Sequence, residues 1–165
     1  MLRVVSLVLL SSCLAYGQHD AQAQTQQPQD RHNMVTEHGD KVMGFSHEKT
    51  MHHFVLTQDG GLIEARVNDL KDAASLGEIR DHFQHIVRMF ADGNFNAPML
   101  VHSQDVPGTA VMTRLKAELH WELQEIPRGA RITITADNKN ALEAVHEFLH
   151  FQIADHQTGD CTAIR

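Results

Sequence analysis

Six stretches of the chain carry an ordered pattern of apolar and polar residues. Thr50 to Thr57 (TMHHFVLT) is rich in β-formers and centres on Phe54 and Val55, the composition of a strand. Gln58-Asp59-Gly60-Gly61 follows and reads as a hairpin turn. From Leu62 to Val67 the order alternates, with Ile63, Ala65 and Val67 on one face and Glu64 and Arg66 on the other. That is a strand with one buried side. A polar connection leads to a helix over about 74–90. Its apolar residues Leu76, Ile79, Phe83, Ile86 and Phe90 step by three and four, so they form one stripe. Asp92-Gly93 ends it, with glycine where helices commonly terminate.

The same order returns near the end. Leu119 to Ile126 (LHWELQEI) reads as a strand, Pro127-Arg128-Gly129 as a turn, and Ala130 to Ala136 (ARITITA) as an alternating strand facing Ile132 and Ile134 inward. Asp137 or Asn138 can cap a helix over about 140–154, with Leu142, Val145, Leu149 and Ile153 as its stripe. Phe83-Gln84-His85-Ile86 lies over Phe148-Leu149-His150-Phe151 at a spacing of 65 residues. Between the two units lie a long loop, Asn94 to Gly108, and a short helix from Thr109 to about Lys116. The expected fold is α+β: two strand–strand–helix units forming a four-stranded antiparallel sheet, with helices packed on one face.

The first 40 residues follow neither pattern. Met-Leu-Arg, the apolar run Val4 to Leu10 and the small residues after it read as a secretory signal peptide over 1–17. The run is too short to span a bilayer, which takes about 20 residues. Cleavage fits after Ala15-Tyr16-Gly17. A lipobox ending at Cys13 is the other reading, and a lipidated Cys13 is then the only membrane anchor. Either way the protein is expected to be exported, periplasmic or secreted. Residues 18–40, rich in Gln and poor in large apolar groups, read as a disordered tether. A single domain is expected over 41–160, with 161–165 as a tail. With Cys13 removed or lipidated, Cys161 is left without an intramolecular partner.

Composition narrows the partner classes. The 165 residues carry 14 Lys and Arg against 21 Asp and Glu, a net charge of −7, without a long basic run. Nucleic acid is therefore excluded as an expected partner, because such binding rests on cations meeting phosphates. The abnormal feature is 13 histidines. Neutral imidazole is a common ligand for zinc, copper and nickel, so a metal ion is the expected partner.

The sharpest local motif is His146-Glu147-Phe148-Leu149-His150, an H-E-x-x-H on a predicted helix. Such a pair can share zinc, with Glu147 as general base for a bound water. His156 stands ten residues after His146, the spacing of the third ligand in metzincin proteases. Ile153 replaces their turning glycine, however, and a helix that continued would carry His156 about 15 Å along its axis from His146. A zinc-dependent hydrolase is thus the alternative reading. His82 and His85 lie three apart on the first long helix, outside its stripe. His52 and His53 point to opposite faces of a strand. His102 lies in the long central loop. Met34, Met43, Met51, Met89, Met99 and Met112 show no Met-x-x-Met run and read as filler rather than copper ligands.

Several stretches resemble a family of small exported bacterial proteins of unestablished function. They include Met43-Gly44-Phe45, Lys49-Thr50-Met51-His52-His53-Phe54, Ile79-Arg80-Asp81-His82, Val101-His102, Val106-Pro107-Gly108 and Asp155-His156-Gln157-Thr158-Gly159. The resemblance covers about residues 42–160. It implies a shared set of histidines at His52, His82, His102, His146 and His156, with Arg common where His150 stands. Some members carry an automatic label of aspartate carbamoyltransferase. The Ser-Thr-Arg-Thr phosphate-binding run of that enzyme is missing here, so the label brings no mechanism.

The leading expectation is an exported protein that binds copper or zinc through His52, His82, His102, His146 and His156, with Glu147 or Asp155 orienting imidazoles. Loading should weaken below about pH 6. The zinc hydrolase built on His146, Glu147 and His150 is one alternative. A metal-free binding or structural module without catalysis is the other.

Overall fold

A computed structural model of the chain describes the backbone from His19 and side chains from Gln29 onward. The expected signal peptide and Cys13 lie outside the described residues. The chain divides into two compact units, Met1–Arg31 and His32–Arg165. In the first, residues 19–31 are helical. The second holds everything that follows.

Helix α1 (His19–Met43) leads into strands β1 (Thr50–Thr57) and β2 (Gly60–Val67), helix α2 (Ala73–Ala91), and short helices α3 (Asn96–His102) and α4 (Thr109–Arg114). Strands β3 (Leu119–Ile126) and β4 (Gly129–Ala136) and helix α5 (Lys139–Asp155) complete the order. The expected disordered tether is corrected here: residues 32–40 are helical and contribute Val35, 1% exposed, to the domain interior. Val35, Gly39 and Met43 recur every four residues, so they share one helical face despite their polar neighbours.

The strands form one antiparallel sheet in the order β1-β2-β4-β3. The expected α+β fold, two hairpin–helix units around a four-stranded sheet, is the one observed. Each hairpin pairs in register, Phe54 with Ile63 and Leu123 with Ile132, and the two hairpins join through β2 and β4, where Ile63 faces Ile132. One sheet face therefore presents His52, Phe54 and Leu56, then Ile63, Ala65 and Val67, then Ile132 and Ile134. Helices α2 and α5 cover that face crosswise. Helix α2, which follows the first hairpin, packs mainly on β3 and β4; α5, which follows the second, packs on β1, β2 and β4.

Local chemistry sets the helix ends. Asp72 accepts the Ser75 N–H at 3.0 Å to start α2, and Asn138 accepts the Ala141 N–H at 3.0 Å to start α5. Gly108, at φ 79°, precedes α4 where a Cβ would lie 2.1 Å from the Ala144 carbonyl oxygen. Only glycine lets α4 approach α5 this closely. The long loop expected over 94–108 contains α3, and His102 is the last residue of that helix rather than a loop residue.

After α5 the chain turns through Gln157 at φ 53° and Gly159 at φ 73°. It then runs beside β1, the edge strand. Asp160 accepts the Phe54 N–H at 2.9 Å, and the Arg165 N–H donates to the Leu56 carbonyl at 3.0 Å. The last residues thus satisfy edge groups that would otherwise invite another strand.

Candidate functional site: a histidine-lined cavity

The inner sheet face and the helices above it leave a cavity of about 70 Å³. A pocket of that size holds a few waters or one ion with its ligands. Its walls are mostly apolar, with Phe54, Phe83, Ile86 and Val101 among them, and its polar groups are His52, His82, His102, His156 and Gln152.

Four distant segments deliver these imidazoles. His52 stands on the inward face of β1, one register step from Phe54. His82 adjoins the buried Phe83 and Ile86 on α2. His102 ends α3, where Ser103 at φ 52° turns the chain away. His156 caps the C-terminus of α5. The His102 and His156 ring centres are 4.9 Å apart, and those of His52 and His156 are 5.9 Å apart. Phe45 stacks on His52 at 5.4 Å and meets His82 edge-on at 5.5 Å.

The four rings are held differently. His102 is 0% exposed. Its Nδ1 pairs with Asp155 at 2.5 Å and its Nε2 lies 3.1 Å from Oε1 of Gln152. Gln152 is buried, and its amide nitrogen has no hydrogen-bond partner. A neutral His102 that donates Nδ1–H to Asp155 offers Nε2 as an acceptor. The Gln152 amide then fits best turned over, its NH₂ toward His102. In either orientation one amide atom stays unpaired beside the cavity. By contrast, among the described residues no hydrogen bond restrains the rings of His52, His82 or His156.

Burial keeps these three rings neutral. It pushes His52 down to about 4, with the neighbouring His53 adding and Asp40 opposing. His82 is also pushed down to about 4, by burial first and then by His52 and His85. His156 lies well below the usual imidazole range for the same reason, with His52, His102 and His32 adding to the effect. A buried imidazole disfavours its charged form.

His146, the fifth expected ligand, is elsewhere. It sits ten residues back along α5, and its Nε2 donates toward the Thr57 and Gly60 carbonyls at 2.9 and 3.1 Å, bracing the first hairpin turn. His150 and Glu147 are exposed on the same helix. Helix α5 ends at Asp155, so the axial rise of about 15 Å separates His146 from His156.

Residues outside the expected set also matter. A second, wider cavity of about 240 Å³ adjoins the first, sharing His52, His156 and Met43 as wall, with His32, His47 and His53 on its other sides. His32 falls within the Gln-rich stretch 18–40, and the four-residue recurrence of Val35, Gly39 and Met43 is the sequence signal that places it on a packed helix. Gln152 carried none. Among the described residues, no three His, Cys, Asp or Glu side chains stand grouped to hold an ion as they are. No protein-family model, curated protein or solved structure matches the chain.

Proposed function

We propose that this is an exported binding protein that takes a transition-metal ion, copper or zinc, into the inner cavity, in keeping with the small exported bacterial family it resembles. The carrying observation is that four imidazoles far apart in sequence line one cavity. Two rings that share an ion about 2 Å from each nitrogen have centres about 5 Å apart at a tetrahedral angle. The 5.9 Å separation of the His52 and His156 ring centres lies near that spacing. Ring orientation is what loading must change, and among the described residues no hydrogen bond fixes the rings of His52, His82 or His156. His52, His82 and His156 are the ligands. His102 stays anchored by Asp155 and Gln152 and closes the fourth side. Their neutrality supports ligation, since a protonated imidazole has no lone pair to give.

The zinc-hydrolase arrangement has less support, because the Nε2 of His146 is engaged by hairpin carbonyls and His150 faces solvent. Isothermal titration of the chelator-stripped, tag-free chain tests the proposal. One equivalent of copper(II) or zinc should bind, and His52→Ala with His82→Ala should abolish that binding. Absence of stoichiometric binding by copper(I), copper(II), zinc and nickel overturns it.

A further inference from the structure

The outer cavity shares His52, His156 and Met43 with the inner one and adds groups of its own. It lies along the start of edge strand β1, between α1 and the segment after α5. Two of its imidazoles are oriented by carboxylates: Nδ1 of His47 lies 3.0 Å from Asp40, and Nδ1 of His53 lies 3.0 Å from Asp160. A histidine that donates Nδ1–H to a carboxylate keeps its lone pair on Nε2, the arrangement that metal-binding histidines use. Met51 is two residues from His53, so both project from the same face of β1, and Met51 is 43% exposed. Met51 also lines the outer cavity. A third imidazole, His32, has a buried Nδ1 without a hydrogen-bond partner on this cavity.

We infer that the outer cavity is a site for a soft cation, copper(I), held by Nε2 of His47 and His53 and the thioether of Met51. Thioether with imidazole selects copper(I) over zinc. Asp40 and Asp160 are positioning residues, setting the tautomers.

The test is anaerobic copper(I) titration of the full chain against bicinchoninate, paired with X-ray absorption at the copper edge. The wild-type protein should show a sulfur neighbour in the first shell. Met51→Leu should remove it, whereas His52→Phe with His82→Phe should leave it. Asp40→Asn should lower copper(I) affinity about tenfold or more without moving zinc affinity. A first shell of nitrogen and oxygen alone in the wild type, or unchanged copper(I) affinity in His47→Gln with Met51→Leu, overturns the inference. Both of those substitutions lie at exposed side chains, so the fold should persist, and circular dichroism checks it. If sulfur is retained while inner-cavity variants lose nothing, the inner-cavity proposal falls and this one stands.

Discussion

Replacing His52 by Phe separates the acid lability of the cavity from its packing. The His52 ring lies between Phe45 and Phe54, with centres 5.4 and 6.3 Å away and planes tilted by 24° and 9°. A phenyl ring can occupy the same stack, at a packing cost of less than about 1.5 kcal/mol. What disappears is the titration. Burial lowers His52 from 6.5 to about 4 in the folded protein, so the unfolded chain takes up the proton first. Stability is unaffected above pH 6.5, falls as pH drops from 6.5 toward 4, and levels off below that. A gap of about 2.5 pH units at about 1.4 kcal/mol per unit sets a ceiling of about 3 kcal/mol. The ring is half-buried, so about 2 kcal/mol is expected. Urea unfolding at pH 7, 6, 5 and 4, followed by the fluorescence of Trp121, the single tryptophan, reads this directly. The variant should gain about 2 kcal/mol on the wild type between pH 7 and pH 4. Parallel pH profiles for the two proteins would refute the reasoning, because contributions from groups that His52 does not influence cancel in the difference, leaving His52 and its effect on His82 and His156.

Other consequences follow from the same geometry. Gly108→Ala drives a Cβ toward the Ala144 carbonyl at a positive φ and should cost about 3 kcal/mol or more, seen as a large fall in Tm. His102→Phe removes the ring that pairs with the Gln152 side-chain amide and should cost about 2–3 kcal/mol in urea unfolding; a cost below about 0.5 kcal/mol contradicts the anchoring role. Metal loading of the inner cavity should persist at pH 5 and fail only toward pH 4, since the values of His52 and His82 are about 4; titration calorimetry at pH 7, 5 and 4 decides between this and the ordinary imidazole threshold near pH 6. His150→Ala should leave metal stoichiometry unchanged, and a loss revives the zinc-hydrolase arrangement.

Much of the fold was legible because its signals are local. The alternation of Ile63, Ala65 and Val67 and the stripe from Ile79 to Phe90 declare their elements without help from distant residues, and these residues are buried; Glu64, expected on the other face of the strand, is buried too, paired with Arg66 and Arg131. The cap of α5 was legible to within one residue, Asp137 or Asn138, and Asn138 fills it. Helix α3 was not, since Pro98 and a brief apolar run within a stretch bounded by turn residues resemble a loop. The first half of the domain boundary was lost because four-residue recurrence in α1 is diluted by Gln and charged residues. The site was partly legible. Histidines outside the apolar stripe of α2 and at the end of α5 stood out by residue type, but only the crosswise packing of each helix on the other hairpin decides which of them meet. His146 and His156 share a helix yet diverge through axial rise, whereas His52 and His156, 104 positions apart, come together at ring-stacking distance. Gln152 and the carboxylate partners of His47 and His53 depend wholly on tertiary contacts.

Anomalous diffraction at the copper edge from crystals of the copper-loaded full chain tests the central claim most directly. A peak inside the inner cavity, about 2 Å from imidazole nitrogens of His52, His82 and His156, is the expected result. An inner cavity that remains empty of copper while the protein is saturated contradicts the proposal.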